Sequence, residues 1–266
     1  MKNINSDIHK KLVKALQSRQ LETIEKLIDD GMKNDDKDPL LYSYQGNYYG
    51  IKLDFKNAVI CHQKALELEP IEERHEWHKN NISLCVTLLG EKLLTQNNIS
   101  EAKECFSKSI SVFPLAKSYQ KLAHINYIED ELDNSFVNLN KAIDLNDKFP
   151  PIYLTMGLCF YKKGNKDECL SNLLKSLELN PSEIDTLLAL SKFYTLNNDL
   201  AKSLEYLSSA QLVQPNNLNI IKDIINHNIL KTYLQYLWQI YVIQVHYPRS
   251  PQVRILYLFD KLLSPI

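Results

Sequence analysis

Small residues recur along this chain at one fixed set of intervals. Ala58, Ala102, Ser135, Cys169 and Ser203 lie 44, 33, 34 and 34 residues apart. Ala65, Ser109, Ala142, Ser176 and Ala210 repeat those intervals, and Gly46, Gly90, Ala123, Gly157 and Ser191 repeat them again. Three series in one rhythm mean that a single structural element of about 34 residues is copied along the chain. Similar phrases close the copies: "CHQKALELEP" ends at Pro70, "LLKSLELNP" at Pro181 and "LSSAQLVQP" at Pro215.

Each copy reads as two antiparallel helices. A small residue on the first faces a small residue on the second, so the axes approach closely, and the third small slot lets the next copy dock. Turns are expected at "LDFKN", "NNISE", "EDELDN", "KGNKDE" and "NNDLA", where Asn, Asp or Gly ends one helix and an Asn or acidic residue caps the next. Tyr42, Tyr49, Tyr119, Tyr153, Phe160, Phe193 and Tyr194 are expected to fill interior slots. Only six glycines occur and period-two alternation is scarce, which argues against an all-β chain.

These residues resemble the tetratricopeptide repeat (TPR), a helix–turn–helix element of 34 residues. Residues 150–183 carry its pattern almost throughout, with Tyr153, Met156, Gly157, Phe160, Leu173, Ser176 and Pro181 in place and Cys169 where the family has alanine. The resemblance covers about residues 5–217, as repeats 5–38, 39–72, 83–115, 116–149, 150–183 and 184–217. It implies an all-α, right-handed superhelical solenoid of antiparallel helix pairs, with C-terminal capping helices.

Two stretches depart from the pattern. An insertion at 73–82, within "IEERHEWHKNNISLCVTLLGEKLL", predicts a helix lengthened by about two to three turns at its N-terminal end. Residues 218–266 lose the small slots and read as a degenerate repeat plus capping helices. There "TYLQYLWQIYVIQVHY" is apolar nearly all round and "PQVRILYLFDKLL" follows a Pro-Arg-Ser-Pro break. A cap wants a polar outer face. Gln235, Gln239 and Gln244 make only a narrow one, so homodimerisation through these helices is a second use for them.

In the family, the first helices line a concave groove. The resemblance points Ser43, Tyr44, Asn47, Leu84, Thr87, Leu88, Glu91, Lys117, Gln120, Lys121 and His124 into it. It does the same for Leu154, Thr155, Leu158, Leu188 and Lys192. Asn47, Lys117, Lys121 and His124 are the candidates for polar clamping of a backbone or carboxylate. Leu154, Leu158 and Leu188 are the candidate apolar anchors, and Lys192 is an anion contact. Together they suit a protein or peptide partner with an acidic group and apolar side chains. The family's clamp for C-terminal peptides is only partly present, since Asn47, Lys117 and Lys121 match while Ser43 and Leu88 do not.

The remaining expectations are mostly exclusions. A net charge of −1 over 266 residues gives no reason to expect nucleic acid. The longest apolar run, Tyr233 to Val245, is short and broken by glutamines, so no membrane span is expected. Five cysteines with no CxxC pair and no secretory leader fit a reduced, cytoplasmic setting. No phosphate loop, HExxH or GxSxG occurs, so neither catalysis nor a cofactor is expected. His75 and His78 beside Glu72, Glu73 and Glu76 have a metal-like spacing, but read more simply as the solvated face of the lengthened helix. The leading function is an adaptor or scaffold. The alternatives are an oligomerisation module and an accessory subunit of a partner enzyme.

Overall fold

The structure is a computed structural model that describes residues 4–246. Among the described residues it is all-α, with no strand. The chain divides into two compact units, residues 1–172 and 173–266.

The first compact unit contains α1 (Ile4–Gln17), α2 (Leu21–Asn34), α3 (Pro39–Ile51) and α4 (Phe55–Leu68). A single 3-10 turn, Glu72–Arg74, leads into α5 (His75–Thr95). Then come α6 (Ile99–Val112), α7 (Ala116–Ile128), α8 (Leu132–Leu145) and α9 (Pro150–Lys162). Helix α10 (Lys166–Leu179) carries the chain into the second compact unit, which contains α11 (Ile184–Leu196), α12 (Leu200–Val213) and α13 (Leu218–His246).

The rhythm of the sequence is the rhythm of the turns. Arg19, Leu53, Asn97, Asp130, Gly164 and Asn198 adopt positive φ, each two residues beyond the end of a first helix. Their spacing is 34, 44, 33, 34 and 34. Each turn closes the helix before it with a backbone hydrogen bond spanning five residues, such as Asp54 N to Tyr49 O at 2.9 Å and Asn98 N to Leu93 O at 2.9 Å. Asp54 and Asp199 then cap the following helices by accepting from the backbone N–H groups of Asn57 and Lys202.

Two pairs of small slots meet as expected, Ser135 donating to the Ala123 carbonyl and Ser191 lying 2.8 Å from Ser203, but the glycine slots are packed differently. A β-carbon on Gly46 would stand 2.6–2.8 Å from the ring of His62, and one on Gly90 would stand 2.8 Å from Phe106. The glycines thus face rings rather than other small residues. Removing the side chain lets a flat ring lie against the backbone of the first helix, so glycine here sets the close approach. Serines take other small slots and use their hydroxyls. Buried Thr87, Ser109 and Ser118 join α5, α6 and α7 through contacts of 2.7–2.9 Å, and Ser83 donates to the carbonyl of Ser109.

The insertion does lengthen a helix. Helix α5 has 21 residues where α3, α7, α9 and α11 have 13. Eight extra residues are about two turns, or roughly 12 Å. In the second compact unit Leu187, Ala210 and Ile220 form a core cluster. Residues 218–246 form one continuous helix, with no proline or glycine inside it. Within the Tyr233–Val245 run Gln235, Leu237 and Trp238 are exposed, while the side chains of its other residues, and all of the segment 251–263, lie outside the described residues.

Candidate binding face of the first helices

Asn47 on α3 and Leu84 on α5 are exposed, and Leu88 is half-buried. One turn beyond Leu88, Glu91 accepts two ion pairs from α7: Lys117 Nζ at 2.8 Å and Lys121 Nζ at 3.2 Å. The two lysines expected to hold a carboxylate therefore already hold one of the chain's own. All three side chains are half-buried, so the cluster is worth more than a surface pair and less than a dry one.

The next turn of α7 is aromatic. The ring of His124 stacks on Tyr127, with centroids 5.9 Å apart. Lys162 Nζ sits over the Tyr127 ring at 4.4 Å, donates to the Tyr127 carbonyl and pairs with Asp130. Burial raises the Tyr127 hydroxyl above its ordinary range. Leu154 and Leu158 on α9 are half-buried. In the second compact unit, Leu188 packs partly against the cluster of Leu187, Ala210 and Ile220, while Lys192 is exposed.

Four residues assigned to the groove face inward instead. Ser43, Thr87, Gln120 and Thr155 are buried. Gln120 Nε2 donates to Thr155 Oγ1 at 2.9 Å, and the hydroxyl of Thr155 donates to the Pro151 carbonyl. Bonds between neighbouring helices hold these polar side chains in the interior, although Gln120 Oε1 is buried without a hydrogen-bond partner.

The lengthened helix also departs from its reading as a solvated face. The side chain of His78 is completely buried. Its Nε2 lies 3.2 Å from Glu69 Oε2 and its Nδ1 lies 3.3 Å from Ser43 Oγ. A carboxylate only accepts, which puts a proton on Nε2. Glu69, whose side chain is 1% exposed, also accepts from the Ile71 N–H and approaches Arg74 at 3.8 Å. His75 donates to the Glu69 carbonyl at 2.9 Å. Glu72, Glu73 and Glu76 stay in solvent. Among the described residues, no group of three or more His, Cys, Asp or Glu side chains is placed to hold a metal.

The atoms of Ser43, His78 and Glu69 line up like a nucleophile relay, but the buried hydroxyl cannot reach a substrate. Their role is structural: the cluster fastens the joint between α4 and α5. Sequence reasoning missed Glu69 because it lies nine residues from His78 across the insertion, where the periodicity gives no guide. The cysteines are likewise interior groups. Burial pushes Cys61, Cys85 and Cys169 up to about 11, which keeps them protonated and unreactive at neutral pH.

Residues 150–183 match the profile of the tetratricopeptide repeat family. That segment is thus similar to a tetratricopeptide repeat, and the described residues around it are all-α, built of antiparallel helix pairs. It is 23% identical over 161 residues to anaphase-promoting complex subunit 3 of Schizosaccharomyces pombe, a match covering 59% of this chain and 24% of that protein. Thus the match spans about a quarter of the length of that relative. Among solved structures, Pseudomonas aeruginosa pilF superimposes with a TM-score of 0.59 at 13% identity, covering 84% of this chain and 97% of the other. PilW, a type IV pilus biogenesis factor, gives 0.58 at 14% identity, covering 84% of this chain and all of the other. At these identities the likeness is one of fold. No helix among the described residues is long and apolar enough to cross a membrane.

Proposed function

We propose that this chain is a non-enzymatic protein-interaction scaffold that holds a segment of a partner against the first helices of its first compact unit. The fold supports such scaffolds, and the S. pombe relative carries a name that makes it a subunit of a complex. The observation that carries the reading is the pairing of Glu91 with both Lys117 and Lys121. A carboxylate already docked on these lysines marks where the acidic group of a partner segment would bind by displacing it. Leu154 and Leu158 supply the apolar contacts beyond it, and Asn47 and His124 supply hydrogen bonds. Each anchor that is buried on binding contributes about 1.5–3 kcal/mol before ordering costs, enough for micromolar affinity. Leu188 and Lys192 form a separate patch of the same kind in the second compact unit. We assign the repeats to the six segments read from the sequence, 5–38 through 184–217.

Capture from native lysate with wild-type chain and with the Lys121→Glu, Leu158→Asp double variant tests the reading, after circular dichroism has shown both to be folded. A partner lost with the variant supports it, and an unchanged partner set refutes it.

A second reading has one observation in its favour. On α13, Leu218, Ile225 and Ile229 fall on one helical face and are exposed. A stripe of this kind suits self-association. Sedimentation over a hundredfold concentration range decides it, because a constant monomer mass removes this reading.

A further inference from the structure

Two ion pairs close the turn edge of the joint between the α7–α8 repeat and α9. Lys162 Nζ lies 3.0 Å from Asp130 Oδ1, and Lys163 Nζ lies 2.9 Å from Asp133 Oδ1. Two repeats back along the sequence intervals, Asp130 and Asp133 correspond to Leu53 and Lys56, and Lys162 and Lys163 correspond to Thr95 and Gln96. Neither ion pair can form at that earlier joint, between the α3–α4 repeat and α5. A pocket of about 230 Å³ opens there instead. Its walls are apolar, from Phe55 at the start of α4 and Leu89 and Leu93 on α5, with exposed Lys56 and Lys92 beside them. None of the residues assigned to the concave groove lines it, and the lining reaches no further than Lys56 on α4 and Leu89 on α5. The pocket therefore belongs to the turn edge and not to the face of the first helices.

The charges around this pocket do not balance. Asp54 is already engaged: its Oδ1 accepts from the Asn57 N–H at 3.3 Å to cap α4, and its Oδ2 accepts from Asn57 Nδ2 at 2.7 Å. Lys92 donates to the Leu53 carbonyl at 3.1 Å. Lys52, in the same turn, donates to the Tyr48 hydroxyl and lies over that ring at 5.0 Å. Near the later turns Lys103, Lys162, Lys163 and Lys202 all pair with carboxylates. Among the described residues, Lys52, Lys56 and Lys92 do not. Leu53 adds an apolar knob to the same edge. It holds φ 59° and is 61% exposed, where the other turn positions of positive φ carry Arg19, Asn97, Asp130, Gly164 and Asn198. A leucine there strains the backbone and leaves its side chain in water, so nothing within the chain favours it.

We infer that the α3–α4 turn edge is a second docking surface, for a partner protein that presents an aliphatic side chain with carboxylates beside it. The aliphatic side chain enters the pocket between Phe55, Leu89 and Leu93 and covers Leu53. The carboxylates pair with Lys56 and Lys92. Charge complementarity selects this occupant: the one acid of the lining is engaged, so the lysines are left for carboxylates from outside. A second copy of this chain would bring lysine against lysine. An anionic lipid headgroup would meet the lysines but has no side chain to fill the apolar pocket. The inference rests on the reading of the chain as a scaffold and gives it a contact area away from the α7 and α9 face.

The test is fluorescence anisotropy on the full chain carrying Lys121→Glu and Leu158→Asp, which silence the α7–α9 face. The probe is a labelled peptide with one leucine between aspartates, and the control has asparagine in place of aspartate. Saturable binding of the acidic peptide alone is expected, weakening as salt rises. Adding Lys56→Glu should weaken it about tenfold, and adding Leu53→Gly several-fold. Adding Lys56→Asp with Gln96→Lys copies the Asp133–Lys163 pair and closes the pocket. That variant should lose binding while a thermal melt shows it folded. Equal binding of both peptides, no binding of the acidic one, or full binding by the variant with the copied ion pair overturns the inference. Uptake of the chain by phosphatidylserine vesicles but not by neutral ones, abolished by Leu53→Gly and without peptide binding, would assign the edge to a membrane and overturn it too. Loss of the lysate partner on silencing the α7–α9 face, with no acidic-peptide binding afterwards, would sink this inference and leave the proposed function standing.

Discussion

Glu91 on α5 reaches Lys117 and Lys121 on α7 at once, at 2.8 and 3.2 Å. One carboxylate thereby ties two neighbouring repeats and occupies the cations best placed for an acidic partner. Replacing it separates the two roles. Glu91→Gln is expected to change stability by no more than about 1 kcal/mol, because all three groups remain partly solvated. It should strengthen capture of an acidic partner segment several-fold, since nothing then competes for the lysines. Chemical denaturation and a binding titration on the same variant check both halves, and weakened capture would contradict the competing-carboxylate account.

His62 predicts a pH dependence. It is buried against Gly46, and burial followed by the neighbouring imidazole of His78 pushes it down to about 4. Between about pH 6.5 and 4 the unfolded chain binds a proton at this site that the folded chain refuses. Stability therefore falls as pH drops through that window, and this group adds no further slope below it. The full effect is roughly 3 kcal/mol at most. Urea melts from pH 4 to 7.5 should show the decline, and His62→Leu should flatten much of it. A variant with an unchanged slope would place the acid sensitivity elsewhere.

Gly90 and Phe106 form a steric pair. A methyl group on Gly90 would meet the Phe106 ring at 2.8 Å, with both residues buried. Gly90→Ala should cost about 1–3 kcal/mol. Adding Phe106→Leu should recover part of that loss, so the double variant is more stable than the sum of the two single effects. Strict additivity in the cycle would mean that the two side chains do not meet.

Leu53 carries a backbone penalty that can be removed. It has φ 59° in the turn after α3, and its side chain is largely exposed. Glycine at this position avoids the left-handed strain, and Leu53→Gly should gain about 1 kcal/mol. The Leu53 carbonyl, which accepts from Lys92, is retained. A thermal melt measures the gain, and a loss would mean that the leucine side chain makes a contact worth more than the strain.

These particulars show where the sequence is readable. Gly46 and Gly90 announced close helix approach, because a repeated glycine has few other uses, and the turns at Leu53, Asn97 and Asp130 fall in the same rhythm. What filled the space above each glycine was not readable, since His62 and Phe106 occupy one slot with different chemistry. On the candidate face, periodicity marked which residues lie on the first helices. It did not tell inward polar side chains from outward ones, and the hydrogen bonds between helices drew Thr87 and Gln120 inside. The Glu69–His78 pair arises where the register breaks, so no repeat pattern led to it.

The most direct test of the account is photo-crosslinking from single positions on the full chain. A benzophenone amino acid at Leu84, exposed on first helix α5, is compared with one at Ile60, exposed on second helix α4. With a partner captured from lysate, the account predicts a covalent adduct from Leu84 and none from Ile60. An adduct from Ile60 alone would contradict it, because the partner would then lie against the second helices.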